Sequence, residues 1–121
     1  MSTFDELRAL WPLPVWPGVI ARTVEGSEMT LAVVELDPGA VVAEHHHPNE
    51  QLGIVLSGSM TFTIGGETRE IAPGDTYVIP ADVPHNATAG PEGAVVIDVF
   101  APIRADWKAF EPGEPTAPRW P

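Results

Sequence analysis

The sequence predicts an all-β sandwich or barrel, and three observations predict it. Short runs rich in Val, Ile and Thr recur every eight to twelve residues between Val19 and Phe100, the spacing of a strand plus its turn. Gly, Pro or Asp punctuates these runs. No helical stretch of about 10–15 residues separates them, which removes the strand–helix alternation of a parallel α/β sheet.

Taken in order, residues 2–10 fit one short helix, with Ser2 or Thr3 as cap, Asp5 and Glu6 in the first turn, and Phe4, Leu7 and Leu10 on one face. Trp11-Pro12, Pro14 and Pro17-Gly18 end it and predict an irregular arm. Strands are expected near 19–24, 29–36, 41–46, 51–57, 59–65, 67–72, 76–79, 85–89 and 93–100. The clearest, Met60 to Ile64, alternates apolar and polar side chains as a half-buried strand must. Gly65-Gly66 after it is a two-residue hairpin signal, and Pro38-Gly39 and Pro73-Gly74 mark further turns. Beyond Phe100 come Pro102, Pro112, Pro115, Pro118 and Pro121 with Trp107 and Trp120. A turn of helix over 105–110 and then an extended tail, laid on the barrel or on a second subunit, are expected. The expectation is one domain over 1–121, with a barrel core at 19–100 and a C-terminal extension at 101–121.

Composition narrows the function. Seventeen acidic side chains against six basic ones give a net charge of -11. That excludes a nucleic-acid partner, which needs a basic stripe to neutralise phosphates, and an anionic membrane surface. A small anionic ligand stays allowed, because one metal or arginine reverses the field locally. No cysteine is present, so thiolate metal sites, disulfides and thiol catalysis are all excluded. With no signal peptide and no apolar run of about 20 residues, a cytoplasmic address is expected. The doubly apolar stretch 93–100 and the Trp- and Pro-rich ends predict a homodimer.

All four histidines fall in two places, His45-His46-His47 and His85. Residues two apart on a strand share a face, so His45 and His47 reach one point while His46 turns outward. Gln51, opening the next strand, and His85, after Pro84 at the start of a later one, are placed to join them. Imidazole and carbonyl oxygen suit one divalent transition metal such as Zn, Ni, Fe or Mn. Glu50 is the alternative fourth ligand if the turn is irregular; on an extended strand it points the other way.

The run Gly93 to Phe100 is apolar on both faces except for Asp98. An acid in a buried strand costs several kcal/mol unless paired. Val96, Asp98 and Phe100 share a face, and if that face lines the barrel Asp98 is a candidate general base and Phe100 a pocket wall. Arg104 is a candidate anchor for a substrate carboxylate through its planar fork. The competing structural reading is an Asp98–Arg104 ion pair.

The segment Gly39-x5-His45-x-His47-x3-Gln51-x6-Gly58 resembles the first cupin motif, and Gly74-x5-Pro80-x-Asp82-x2-His85 resembles the second. The resemblance covers about residues 19–100. The resemblance implies a double-stranded β-helix, the jelly-roll barrel. Gln51 stands where most cupins have glutamate, Asp82 where the second motif has glycine, and Ala89 where it often has asparagine. An amide in place of a carboxylate leaves a bound cation with one more net positive charge, hence more Lewis-acidic and less suited to redox work.

HHHPNEQLG, VPH and IDVFAPIR are similar to the KdgF-type cupins, which open the ring of unsaturated uronates from pectin and alginate. That resemblance implies His45, His47, Gln51 and His85 as metal ligands and Asp98, Phe100 and Arg104 as working residues on a small carboxylated sugar. Arg22, on an early strand, is a further candidate for binding, although a surface arginine is the simpler expectation. A metal-dependent dioxygenase, a polyketide-type cyclase and a non-catalytic ligand-binding cupin are the rival expectations.

Overall fold

The computed structural model describes residues 3–121. The chain forms β1 (Leu13–Trp16), β2 (Val19–Glu25), β3 (Thr30–Leu36), β4 (Val41–His45), β5 (Glu50–Ile64), β6 (Glu67–Ile71), β7 (Thr76–Ile79) and β8 (His85–Ala101). The sheet runs β1-β2-β3-β8-β5-β6, with β4 paired to β8 and β7 to β5. All pairings are antiparallel. This is the all-β jelly roll that the sequence predicts.

Two long strands serve both layers. The first part of β5 pairs with β7 and the end of β8, placing Gln51 opposite Phe100. The last part of β5 pairs with β6 and the start of β8, placing Ile64 opposite His85. Register shifts between Val55 and Ser57 and between Gly58 and Met60 bend β5, as an extra residue in one strand of a pair does. Gly58, with φ 72°, takes part in that bend, and a Cβ there would stand 2.0 Å from the Gly93 carbonyl oxygen. The curvature is large. A straight strand would separate His85 from Phe100 by roughly 50 Å at about 3.3 Å per residue. Instead both rings reach one imidazole, His47, at 4.9 and 5.7 Å between centroids.

Side chains alternating inward from both layers form the core, among them Val19, Val34, Leu36, Val55, Met60, Ile79 and Val96. Gly65 and Gly66, at φ 55° and 87°, close the β5–β6 hairpin with the doubly positive geometry expected of a two-residue loop.

Several expectations need correcting. The segments 51–57 and 59–65 are one strand, as are 85–89 and 93–100, because the glycines between them bend the ladder and do not break it. The arm contains β1, whose Pro14 is tolerated because β1 is an edge strand paired only with β2. Of the helix over 2–10, only a 3-10 turn at Leu7–Ala9 forms, with no side-chain cap and no buried residue. So short a helix gains too little from its own hydrogen bonds, and Ser2 lies outside the described residues. The turn near 105–110 is present as a 3-10 helix at Ala105–Ala109.

The tail lies along the barrel. Gly113 N–H donates to the Pro12 carbonyl at 2.8 Å, and Arg119 donates to the Leu36 carbonyl at 2.9 Å and to Asp37. Arg22 is neither a surface nor a pocket residue. It is fully buried, paired with Glu35 at 2.5 Å, and donates to the carbonyl and hydroxyl of Thr116 in the tail. No helix among the described residues is long and apolar enough to cross a membrane.

Candidate metal centre

The curled β5–β8 ribbon brings His45, His47 and His85 together, with one ring nitrogen of each within 4.8 Å of the others. His45 ends β4 and lies opposite His85 at the start of β8. His47 is not on β4, as the alternation argument required, but in the turn before β5. His46 faces solvent beside Asp82.

Backbone carbonyls fix all three rings. The Nδ1 atoms of His45, His47 and His85 meet the carbonyls of Ala43, Asn49 and Val83 at 2.8, 3.0 and 2.8 Å. A neutral imidazole carries one proton, so Nδ1 holds it and Nε2 presents its lone pair to the cluster. Burial first, and then the Arg104 charge among the smaller causes, holds the pKa of each ring below its usual value, that of His85 at about 4. The rings are therefore uncharged at neutral pH.

Gln51 sharpens the chemistry. Its Oε1 stands 3.1 Å from His47 Nε2, so a lone pair faces a lone pair. Turning the amide round would relieve that contact but would aim its oxygen at Asp98, to which the Gln51 side chain hydrogen-bonds. The amide oxygen is thus committed to the cluster by the acid behind it. Three imidazole lone pairs and one amide oxygen facing a common point make a donor set for a cation. Glu50, in contrast, is exposed.

Asp98 is buried, and Tyr77 donates its hydroxyl to Asp98 Oδ1 at 2.5 Å. Burial raises the Asp98 pKa to about 6, against the opposing hydrogen bonds from Tyr77 and Gln51. Burial and the neighbouring carboxylate push the Tyr77 hydroxyl well above its ordinary value. Tyr77 was missed in the sequence, where an aromatic in a short strand reads as core. The usable signal was that an isolated buried acid needs a donor.

Arg104 does not pair with Asp98. It follows β8 and leads into the Ala105–Ala109 turn, where Nε and Nη2 donate to Asp106 at 3.0 and 2.9 Å. Its guanidinium carbon lies 4.6 Å from the Phe100 ring centre and 4.3 Å from that of Trp107, a cation set against two rings that themselves meet edge to face at 5.1 Å. Those bonds hold the Asp106 pKa below the usual carboxylate value.

His45, Gln51, His85, Asp98, Phe100 and Arg104 line one cavity of about 80 Å³, with Trp16 and Tyr77 among its walls. A neutral imidazole cluster, a high-pKa acid and a fixed cation therefore share one small space. Such a site can hold a metal ion, attract an anionic group and transfer a proton.

The profile of the cupin domain family matches residues 32–100. The pectin degradation protein KdgF of Dickeya dadantii is 33% identical over 81 residues, 66% of this chain and 74% of its own. The structure of KdgF from Halomonas sp. superposes with a TM-score of 0.79 at 31% identity, over 88% of this chain and 98% of that one. An RmlC-like cupin from Shewanella frigidimarina shares the fold, with a TM-score of 0.81 at 24% identity over 88% of this chain and 96% of its own. The motifs, the jelly roll and these likenesses agree, and the chain belongs to the cupin family.

Proposed function

We propose that the chain is a metal-dependent isomerase that opens 4,5-unsaturated uronates to their linear keto form. The observation that carries this reading is the cavity that His45 and His85 of the three-histidine cluster share with Asp98 and Arg104, supported by the likeness to the pectin degradation protein KdgF. His45, His47, His85 and Gln51 are proposed to hold one divalent transition metal. When bound, such an ion supplies Lewis acidity toward a substrate oxygen.

The remaining chemistry falls to side chains of this chain. Arg104, seated against Phe100 and Trp107, receives the substrate carboxylate. Asp98, with its pKa near neutrality, takes the proton of the hemiacetal hydroxyl. The bond between the anomeric carbon and the ring oxygen breaks, and the enolate so released takes that proton back from Asp98 on its 4-carbon to become the ketone. No electrons are exchanged with an external partner and the product is an isomer of the substrate. The test follows the ultraviolet absorbance of an unsaturated galacturonate with metal-loaded protein. Decay faster than in buffer is expected, and an unchanged rate at full metal loading removes the reading.

We also propose a homodimer formed through the outer face of the larger layer. Sheet register sets Val24, Leu31, Val99, Leu52 and Val78 in one row across β2, β3, β8, β5 and β7. Val24, Leu31, Leu52 and Val78 are 55, 37, 47 and 57% exposed. An apolar row of this width exceeds the scattered exposure usual on a monomer, and a two-fold axis would match it with itself.

A further inference from the structure

A second register row carries an inference about the acid. Tyr77 of β7 lies opposite Gly53 of β5, and Gly53 lies opposite Asp98 of β8. The Tyr77 ring crosses the strand between them through the space a side chain would fill. A Cβ on Gly53 would stand 2.1 Å from Tyr77 Cζ and 2.4 Å from its hydroxyl, so only glycine lets the ring pass. Phe62 backs the ring at 4.8 Å between centroids, and the hydroxyl meets Asp98 Oδ1 at 2.5 Å, the length of a charge-assisted O–H···O bond.

We propose that Tyr77 is a positioning residue that fixes the Asp98 carboxylate for proton transfer, with Gly53 as the opening it reaches through. The inference rests on the reading of Asp98 as the group that moves the proton. Filling the core does not require the hydroxyl, since phenylalanine has the same ring. Orienting the carboxylate does. Rotation about the last bond of an aspartate side chain is broad and roughly two-fold, whereas proton transfer needs heavy atoms about 2.6–3.2 Å apart. Tyr77 and Gln51 both hydrogen-bond the carboxylate, which has roughly four lone-pair sites and lines the cavity.

Two measurements on the metal-loaded protein test this. Tyr77→Phe should stay folded with a modestly lowered thermal midpoint, keep metal content, leave KM within about threefold and lower kcat at least tenfold, as misplacement of a catalytic group does. Gly53→Ala should lower kcat similarly with the hydroxyl still present; if it does not fold, Tyr77→Phe decides alone. Tyr77 is the chain's one tyrosine, so a ζ-carbon label gives a single NMR resonance, expected to move upfield in Asp98→Asn. A kcat of Tyr77→Phe within twofold of wild type, or a resonance indifferent to Asp98→Asn, overturns the proposal. Wild-type protein that turns over no unsaturated uronate overturns the substrate reading, and the ζ-carbon comparison still decides the Tyr77–Asp98 contact.

Discussion

Asp106 grips the Arg104 guanidinium through two bonds, from Nε at 3.0 Å and Nη2 at 2.9 Å, and leaves Nη1 for another anion. Asp106→Ala should let the fork swing out of line. KM for a carboxylated substrate is expected to rise on the order of tenfold, the equivalent of one weakened charge-assisted bond. Stability should also fall, by about 1–3 kcal/mol, because the Arg104 side chain is only 8% exposed and is left without its carboxylate partner. Steady-state kinetics beside thermal melting separates the two effects.

Metal binding should persist into mild acid. Protons compete with a cation only where a ring can be protonated, and the three imidazole pKa values are all lowered, that of His85 to about 4. Affinity should fall less, as pH drops below 7, than that of a set of ordinary histidines with pKa about 6.5. Zinc or nickel titration by calorimetry at successive pH values checks this. In the metal-free chain, unfolded rings take up protons below about pH 6.5 that the folded ones refuse. Stability is therefore lost as pH falls from there toward 4. Asp98 works the other way: its raised pKa stabilises below its ordinary value and the gain is lost as pH rises through about 6. Three rings against one acid should leave the metal-free urea midpoint lower at pH 5 than at pH 7.

Arg22→Met should destabilise strongly and leave the chemistry alone. Glu35 would remain buried with Arg119 as its one cationic partner, and breaking a buried pair costs about 3–5 kcal/mol. Replacing both members, Arg22→Met with Glu35→Leu, should recover most of the loss. Urea unfolding measures both; kcat should hold in the double variant, since neither residue lines the cavity.

Glutamates at Leu52 and Val78 test the outer row. Sedimentation should show wild type as a dimer and the double variant as a monomer with metal content unchanged, since both side chains point away from the cavity. A monomeric wild type at micromolar concentration would remove the dimer.

The barrel was legible because its signals are local: alternation at Met60–Ile64, the Gly65-Gly66 turn, and two histidine motifs with the right spacing. What the text concealed is curvature. Gly58 and Gly93 read as strand ends, but whether a glycine ends a strand or bends it depends on a neighbour it meets across the sheet. The candidate site was legible in its residue types and not in its pairings. Asp98 and Arg104 lie six positions apart and look like partners, yet Tyr77 takes the acid and Asp106 takes the base. Arg22 hid for the same reason, because its cover is a tail 94 residues away.

β8 is a hoop whose two ends close on the same imidazole. Anything gripping His85 and its neighbours therefore buckles the hoop shut, and Gly93, against which Gly58 of β5 presses, marks the bend in it. A larger residue at Gly58 or Gly93 would distort the cavity from the far side of the barrel, without touching a single side chain in it.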